Sequence, residues 1–308
     1  MKKRIALALF LLLVFAGLYL FTSPYKKFDQ GVRVIAAPQG IKRSLMNQDG
    51  WKQWWPGEQL SKYEFRSGGY TFRITDKQLS SLVLVVNDGT DSLLSTLTIV
   101  TSGTDSVDIV WSGSSSGTYN PITRISRLYG SSALREKTSV ILDSLRSFYS
   151  NPVNVYGFKV TSKPVTDTAL VSLFEITTAR PSTEMVYRLI DEMRAYVKAN
   201  NATETGFPML NISAVGDSQL VRVALPVDRR LPDSKRISYR WMPSGGSVAI
   251  GEYRGGPVGA SLAVANMETF LKDHEMKQPA IPYQSLVTDR RTEPDTSKWI
   301  TRIYCPYY

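Results

Sequence analysis

Arg222-Val223-Ala224-Leu225-Pro226 and, eighty residues on, Arg302-Ile303-Tyr304-Cys305-Pro306 read as two versions of one strand. A second correspondence lies upstream of each. Tyr196-Val197-Lys198 leading to Phe207-Pro208 is matched by Phe270-Leu271-Lys272 leading to Ile281-Pro282, at a spacing of 74. The spacing grows from 74 to 80 across the charged stretch Asp289 to Lys298, where a longer hairpin loop absorbs the extra residues. Both copies run in the same order: apolar helix end, Lys, polar linker, apolar-Pro, alternating strand, Pro. Order carries more weight than any single match, so roughly the last 150 residues read as a duplicated module with a cleft between its copies.

Around these anchors the periodicity predicts strands over Val153 to Pro164 and Ala169 to Thr177, then an amphipathic helix over Ser182 to Asn200. Met185, Leu189, Met193 and Tyr196 fall on one face of that helix. In the second copy, Ile237 to Trp241 and Ser247 to Tyr253 are strands. Gly255-Gly256-Pro257 opens a helix whose apolar residues are Leu262, Ala265, Met267 and Leu271, read as core.

Pro152 follows a helix end and marks a boundary, and the chain from Asp29 to Asn151 reads as one unit. It begins with a strand (Gly31 to Ala37) and a short helix (Gln39 to Met46) opened by Pro38. The aromatic turn Trp51-Lys52-Gln53-Trp54-Trp55-Pro56 follows. Strands over Lys62 to Arg66, Tyr70 to Thr75, Leu79 to Val86, Leu93 to Thr101 and Val107 to Trp111 come next, punctuated by turns such as Ser67-Gly68-Gly69. A helix over about Ser131 to Tyr149 closes the unit, with Leu134, Ile141, Leu145 and Phe148 on one face.

Ahead of this unit, Lys2-Lys3-Arg4 precedes an unbroken apolar run from Ile5 to Phe21, stopped by Thr22-Ser23-Pro24. No small-x-small cleavage site follows it, so residues 1–28 read as an uncleaved signal anchor. Basic residues before the run keep the N-terminus in the cytoplasm and place the domains on the other side, in a bacterial inner membrane facing the periplasm.

The remaining composition excludes several chemistries. The single Cys305 forms no intramolecular disulfide and no cysteine-rich metal site. The one histidine, His274, sits in the charged helix end Lys272-Asp273-His274-Glu275, a poor place for a hydrolase base. No metal or cofactor set is read. The net charge is +10, but the basic residues are scattered and no helix-turn-helix or zinc-finger spacing accompanies them, so nucleic acid is excluded as a partner.

Residues 29–151 resemble the START/polyketide-cyclase (SRPBCC) superfamily with its helix-grip fold. The likeness rests on Ala36-Ala37-Pro38-Gln39-Gly40-Ile41 and on the tryptophan-rich turn from Trp51 to Pro56. It implies a curved antiparallel sheet closed by a long helix over an apolar cavity; Trp51, Trp54 and Trp55 are read as packing rather than ligand contacts. Residues 152–308 resemble the GyrI-like effector-binding domain. The residues concerned are Tyr253-Arg254-Gly255-Gly256-Pro257-Val258-Gly259, Ile281-Pro282-Tyr283 and the closing Trp299 to Pro306. That resemblance implies two strand-helix-strand-strand modules binding small molecules in the groove between them, and in some relatives hydrolysis. A glutamate near the final apolar-x-Pro serves cations or hydrolysis in that family; here Arg302 stands at that place.

A guanidinium neither stabilises a cation nor acts as a base, but it offers fixed donors to carboxylate or phosphate. Tyr253, Trp299, Arg302 and Tyr304 are therefore the ligand-binding candidates, with Glu252 and Glu175 as the strand carboxylates in reach. The expectation is an anchored α+β protein that binds a hydrophobic or amphipathic small molecule without catalysis. The alternatives are a GyrI-like hydrolase using Glu175 or Glu252, and a structural protein whose grooves its own side chains fill.

Overall fold

The computed structural model describes residues 2–21, 25, 27–89, 91–166, 168–242 and 244–308; the side chains of 2, 20, 21, 121 and 124–131 and the stop signal Thr22-Ser23-Pro24 lie outside that description. Met1–Asn151 and Pro152–Tyr308 form two compact units. Each contains one antiparallel sheet.

The apolar start folds as a helix, α1 (Lys2–Phe21). Yet among the described residues no helix is long and apolar enough to cross a membrane. The run Ile5 to Phe21 rises about 25 Å, at the lower end of what a spanning helix needs. The transmembrane anchor in the expected fold class, the single-pass topology and the inner-membrane location are corrected accordingly.

The first unit continues with β1 (Lys27–Val34), α2 (Pro38–Leu45), a 3-10 turn (Gln48–Gln53), β2 (Glu58–Ser61), β3 (Glu64–Ser67), β4 (Tyr70–Lys77), β5 (Ser81–Asn87), β6 (Ser92–Thr101), β7 (Val107–Ser114) and α3 (Pro121–Tyr149). Its seven strands lie in the order β1-β7-β6-β5-β4-β3-β2, so the first strand closes back onto the last. Gly68 and Gly69, both at positive φ, make the two-residue turn between β3 and β4. The helix α3 starts well before Ser131, because Asn120 caps it: its Oδ1 accepts from the Ile122 and Thr123 N–H groups, and Pro121 sits at the first helical position.

Trp51 is fully buried and touches Trp54, Trp55 and Phe65 at centroid distances of 4.9, 5.8 and 5.1 Å. Phe72 extends the cluster to Trp111 at 5.5 Å, and Tyr149 joins α3 to it through Trp54 at 6.3 Å. The tryptophan-rich turn is thus the packing centre of this unit, held by dispersion and edge-to-face geometry.

The second unit comprises α4 (Pro152–Tyr156), β8 (Val160–Pro164), β9 (Thr168–Thr177), α5 (Thr183–Ala199), β10 (Met209–Val215), β11 (Ser218–Val227), β12 (Ser238–Met242), β13 (Ser247–Arg254), α6 (Pro257–Asp273), β14 (Tyr283–Leu286) and β15 (Ile300–Tyr307). The single turn of α4 replaces the start of the strand expected from Val153, since Pro152 opens a helix and Gly157, at positive φ, ends it.

The strand order is β12-β9-β11-β10-β14-β15-β13-β8. Read from either end, the order is the same under exchange of β8 with β12, β9 with β13, β10 with β14 and β11 with β15. The sheet therefore has a pseudo-twofold axis between β10 and β14. Each module's leading strand, β8 or β12, pairs with the other module's β13 or β9, which stitches the two copies together. Cross-strand partners share a face, so the registers Leu210↔Val223, Leu210↔Gln284, Gln284↔Ile303 and Ile303↔Gly251 place both helices on one side. There Val171, Val221 and Val223 of the sheet pack with Leu189, Ile190 and Met193 of α5, and Ala249, Ile303 and Cys305 with Met267 and Leu271 of α6.

Candidate functional site

Among the described residues of this unit, the other face of the sheet carries no helix, and the period-two alternation of its strands decides what it displays. On β9, Leu170, Ser172 and Phe174 point away from the α5 core; on β11, Arg222, Ala224 and Pro226 do; on β15, Arg302, Tyr304 and Pro306 do. This face holds two cavities of about 470 and 430 Å³. Both are lined by Met209, Met242, Tyr283 and Pro306, so they are two lobes of one groove divided by those four side chains. Their sizes fall within the range of small-molecule sites.

The lobes differ although the backbone is duplicated. Tyr283 and Tyr304 stack at 4.9 Å with 2° between their planes, and both line the second lobe with Lys163 and Ile250. Burial raises the Tyr283 phenol well above its ordinary pKa, so it stays protonated. The pseudo-twofold mates of these tyrosines are Met209 and Ala224. Met209 and Tyr283 line both lobes, so the linings differ by Ala224 in the first against Tyr304 in the second; the apolar walls of the first lobe are Leu170, Phe174, Met209, Trp241 and Ile281.

Polar groups of the first lobe are few. Asn211 donates from Nδ2 to the Pro282 carbonyl at 2.9 Å, which fixes the orientation of its amide. Its Oδ1 is buried and, among the described residues, has no hydrogen-bond partner. An orphaned acceptor in a cavity wall is a costly feature that a ligand donor would offset. The charged lining residues are Arg222, Arg236 and Arg240, with no carboxylate among them.

Of the six ligand-binding candidates Tyr253, Trp299, Arg302, Tyr304, Glu252 and Glu175, only Tyr304 lines either lobe. Arg302 lies on the groove face but is turned to Glu252, with Nε to Oε2 at 3.4 Å; Arg254 holds the other Glu252 oxygen at 3.1 Å. Glu175 lies beside the α5 face, where both its oxygens accept from Arg188 Nη2 at 2.8 Å. Trp299 is buried at 6% exposure; its indole donates to the Glu293 carbonyl at 2.7 Å and its ring faces Arg290 at 5.2 Å. Tyr253 packs over the first turn of α6, where its hydroxyl occupies the space that a Cβ on Gly255 or Gly259 would take. The motif Tyr253-Arg254-Gly255-Gly256-Pro257-Val258-Gly259 is thus a packing device: the glycines make room for the tyrosine.

The site residues that sequence reading passed over are Tyr283, Met209, Trp241 and above all Arg222. Arg222 opened the repeat itself, but only its copy, Arg302, was weighed as a site.

No known family matches this chain, and no curated protein matches it. Solved structures do. The EcmrR C-terminal domain is 16% identical, with a TM-score of 0.42, over 49% of this chain and 98% of that domain. EcmrR in its complex with DNA is 15% identical, also at TM-score 0.42, and the match spans 57% of the EcmrR chain. An uncharacterized conserved protein from Listeria innocua is 14% identical at TM-score 0.38, over 49% of this chain and 92% of that one. Because EcmrR is found on DNA, the exclusion of nucleic acid drawn from scattered charge is withdrawn. The C-terminal unit is built of two strand-helix-strand-strand modules sharing one sheet, with a groove on the side away from the helices.

Proposed function

We propose that this chain is a non-catalytic small-molecule-binding protein, and that its C-terminal unit takes a hydrophobic or amphipathic ligand in the two-lobed groove. The observation that carries this reading is the pair of cavities on the helix-free sheet face, walled by apolar side chains with a few convergent polar groups. Glu175 and Glu252 lie in ion pairs and line neither lobe, which leaves the hydrolase reading without a base in the groove. The first unit, with its antiparallel sheet and the long helix α3, fits the START/SRPBCC resemblance and is proposed as a helix-grip domain.

Titration of the full chain with the neutral apolar dye Nile red tests the groove. Saturable binding is expected, weakened at least about fivefold by Trp241→Ala, which removes an aromatic wall worth about 1 kcal/mol or more. Native mass spectrometry of the purified chain is expected to show a copurified small molecule. Absence of saturable dye binding, or binding that Trp241→Ala leaves untouched, refutes the assignment of the groove.

A further inference from the structure

The pseudo-twofold axis makes Arg222 and Arg302 equivalent. They stand eighty residues apart in the duplicated motif, each on the last strand of its module, and each opposes the same place on the neighbouring strand. That place is Glu252 for Arg302 and Phe174 for Arg222. In the second module the carboxylate neutralises its arginine across the strand pair. In the first module a phenyl ring stands where the acid would be.

The consequence is a half-buried guanidinium without a counter-ion. No carboxylate among the described residues lies within ion-pair distance of Arg222. The other two arginines of the first lobe are differently placed. Arg236 is held by Glu192 at 3.0 Å and Glu175 at 3.6 Å, and Arg240 is exposed and donates to the Tyr239 carbonyl at 3.3 Å. Arg222 sits in a row across the sheet between Phe174 and Asn211, in a cavity whose remaining walls are largely apolar. A fixed positive charge in such surroundings repels cations and rewards an anion that brings its own apolar body, because the desolvated pair is poorly screened.

Resting on the reading of the groove as a small-molecule site, we propose that its first lobe selects aromatic or alkyl monoanions, carboxylates above all, with Arg222 as the counter-ion. The apolar body lies against Phe174, Trp241 and Ile281, and the carboxylate accepts from the Arg222 guanidinium.

Three probes with one body and different charge test this on the full chain: 2-naphthoate, 2-naphthalenemethanol and 2-naphthylmethylammonium, titrated calorimetrically. Naphthoate is expected to bind about tenfold to a hundredfold tighter than the alcohol, the scale of a charge-assisted hydrogen bond, and the ammonium most weakly. In Arg222→Met the naphthoate advantage disappears while alcohol affinity stays within about twofold, which also shows that the variant is folded. Arg302→Met, whose arginine is already paired, keeps the wild-type order. Equal affinities for the three probes in the wild-type chain overturn the charge assignment while leaving the groove reading intact. An anion preference that survives Arg222→Met overturns the role of Arg222. If none of the probes binds, the groove reading fails and the proposal falls with it.

Discussion

Replacing Gly259 by alanine should destabilise the C-terminal unit, against the usual direction of such a change in a helix. Alanine favours a helix interior over glycine by up to about 1 kcal/mol. Gly259, in the first turn of α6, faces the Tyr253 ring: an added Cβ would lie 1.8 Å from the phenol oxygen and 2.5 Å from Cζ. The ring cannot stay where it is, and overpacking of this kind costs about 1–3 kcal/mol. The difference leaves a net loss of about 1 kcal/mol. Hydrogen exchange at the α6 amides of the full chain reads this directly, and the slowest amides should exchange about fivefold faster. The double variant Tyr253→Leu with Gly259→Ala removes the obstacle and should recover the loss. Exchange slowed by Gly259→Ala alone, as for a glycine in open space, would refute the packing role given to Tyr253 and return it to the list of ligand contacts.

Other expectations follow from the same packing. Trp51→Ala should cost the first unit about 3–5 kcal/mol in urea unfolding. Trp51→Phe should cost much less, because the Leu45 carbonyl that loses the indole donor keeps the Gln48 amide at 3.0 Å. Burial pushes the Cys305 thiol from its ordinary 9.0 up to about 12, so the unfolded chain releases the proton first as pH rises. The stability of the second unit should therefore be fully present below pH 9 and fall between pH 9 and 12, with a ceiling of about 4 kcal/mol. Cys305→Ala should flatten that fall, as measured by urea midpoints across the range. A probe with a hydroxyl meta to its carboxylate, too far to donate to it, 4-hydroxy-2-naphthoate, should bind up to about tenfold tighter than 2-naphthoate by donating to Asn211 Oδ1, and Asn211→Leu should abolish the gain. Separate fragments 29–151 and 152–308 should each unfold cooperatively, since each has its own sheet and helix; a broad, non-cooperative transition in either would show a shared core.

The sequence exposed the duplication because a repeated strand must repeat its apolar face, and the face is set by alternation. It did not expose the strand exchange. Pairing of β8 with β13 and of β12 with β9 is a long-range choice, made by which edges meet once two copies share a sheet, and no local pattern records it. Element ends were hidden for a different reason. Asn120-Pro121 carries the capping signal of α3, but the residues behind it, Ile122 to Ser131, lack a clean apolar stripe, so periodicity alone starts the helix too late. The anchor shows the opposite limit. An apolar run fixes a helix, but a run at the lower end of spanning length does not by itself make a membrane span, and among the described residues no helix is long and apolar enough to be one.

The site was less legible than the fold, and Arg302 shows why. Sequence reading compares a residue with its neighbours along the chain, so the arginine near the final Pro stood out against the acid that the GyrI-like resemblance implies there. What decides its chemistry is the residue across the strand pair, and for Arg302 that residue is Glu252. The same reasoning applied through the repeat leads to Arg222, whose cross-strand neighbour is Phe174. A duplicated fold with one module neutralised and the other left charged has one lobe that differs from its copy in electrostatics, and in lining too, because Ala224 stands in the first lobe where the second carries Tyr304. The two lobes are close in volume, so what sets the first apart is a guanidinium whose cross-strand neighbour is a phenyl ring and not a carboxylate, and the proposed anion site follows from that departure from twofold symmetry more than from any single motif.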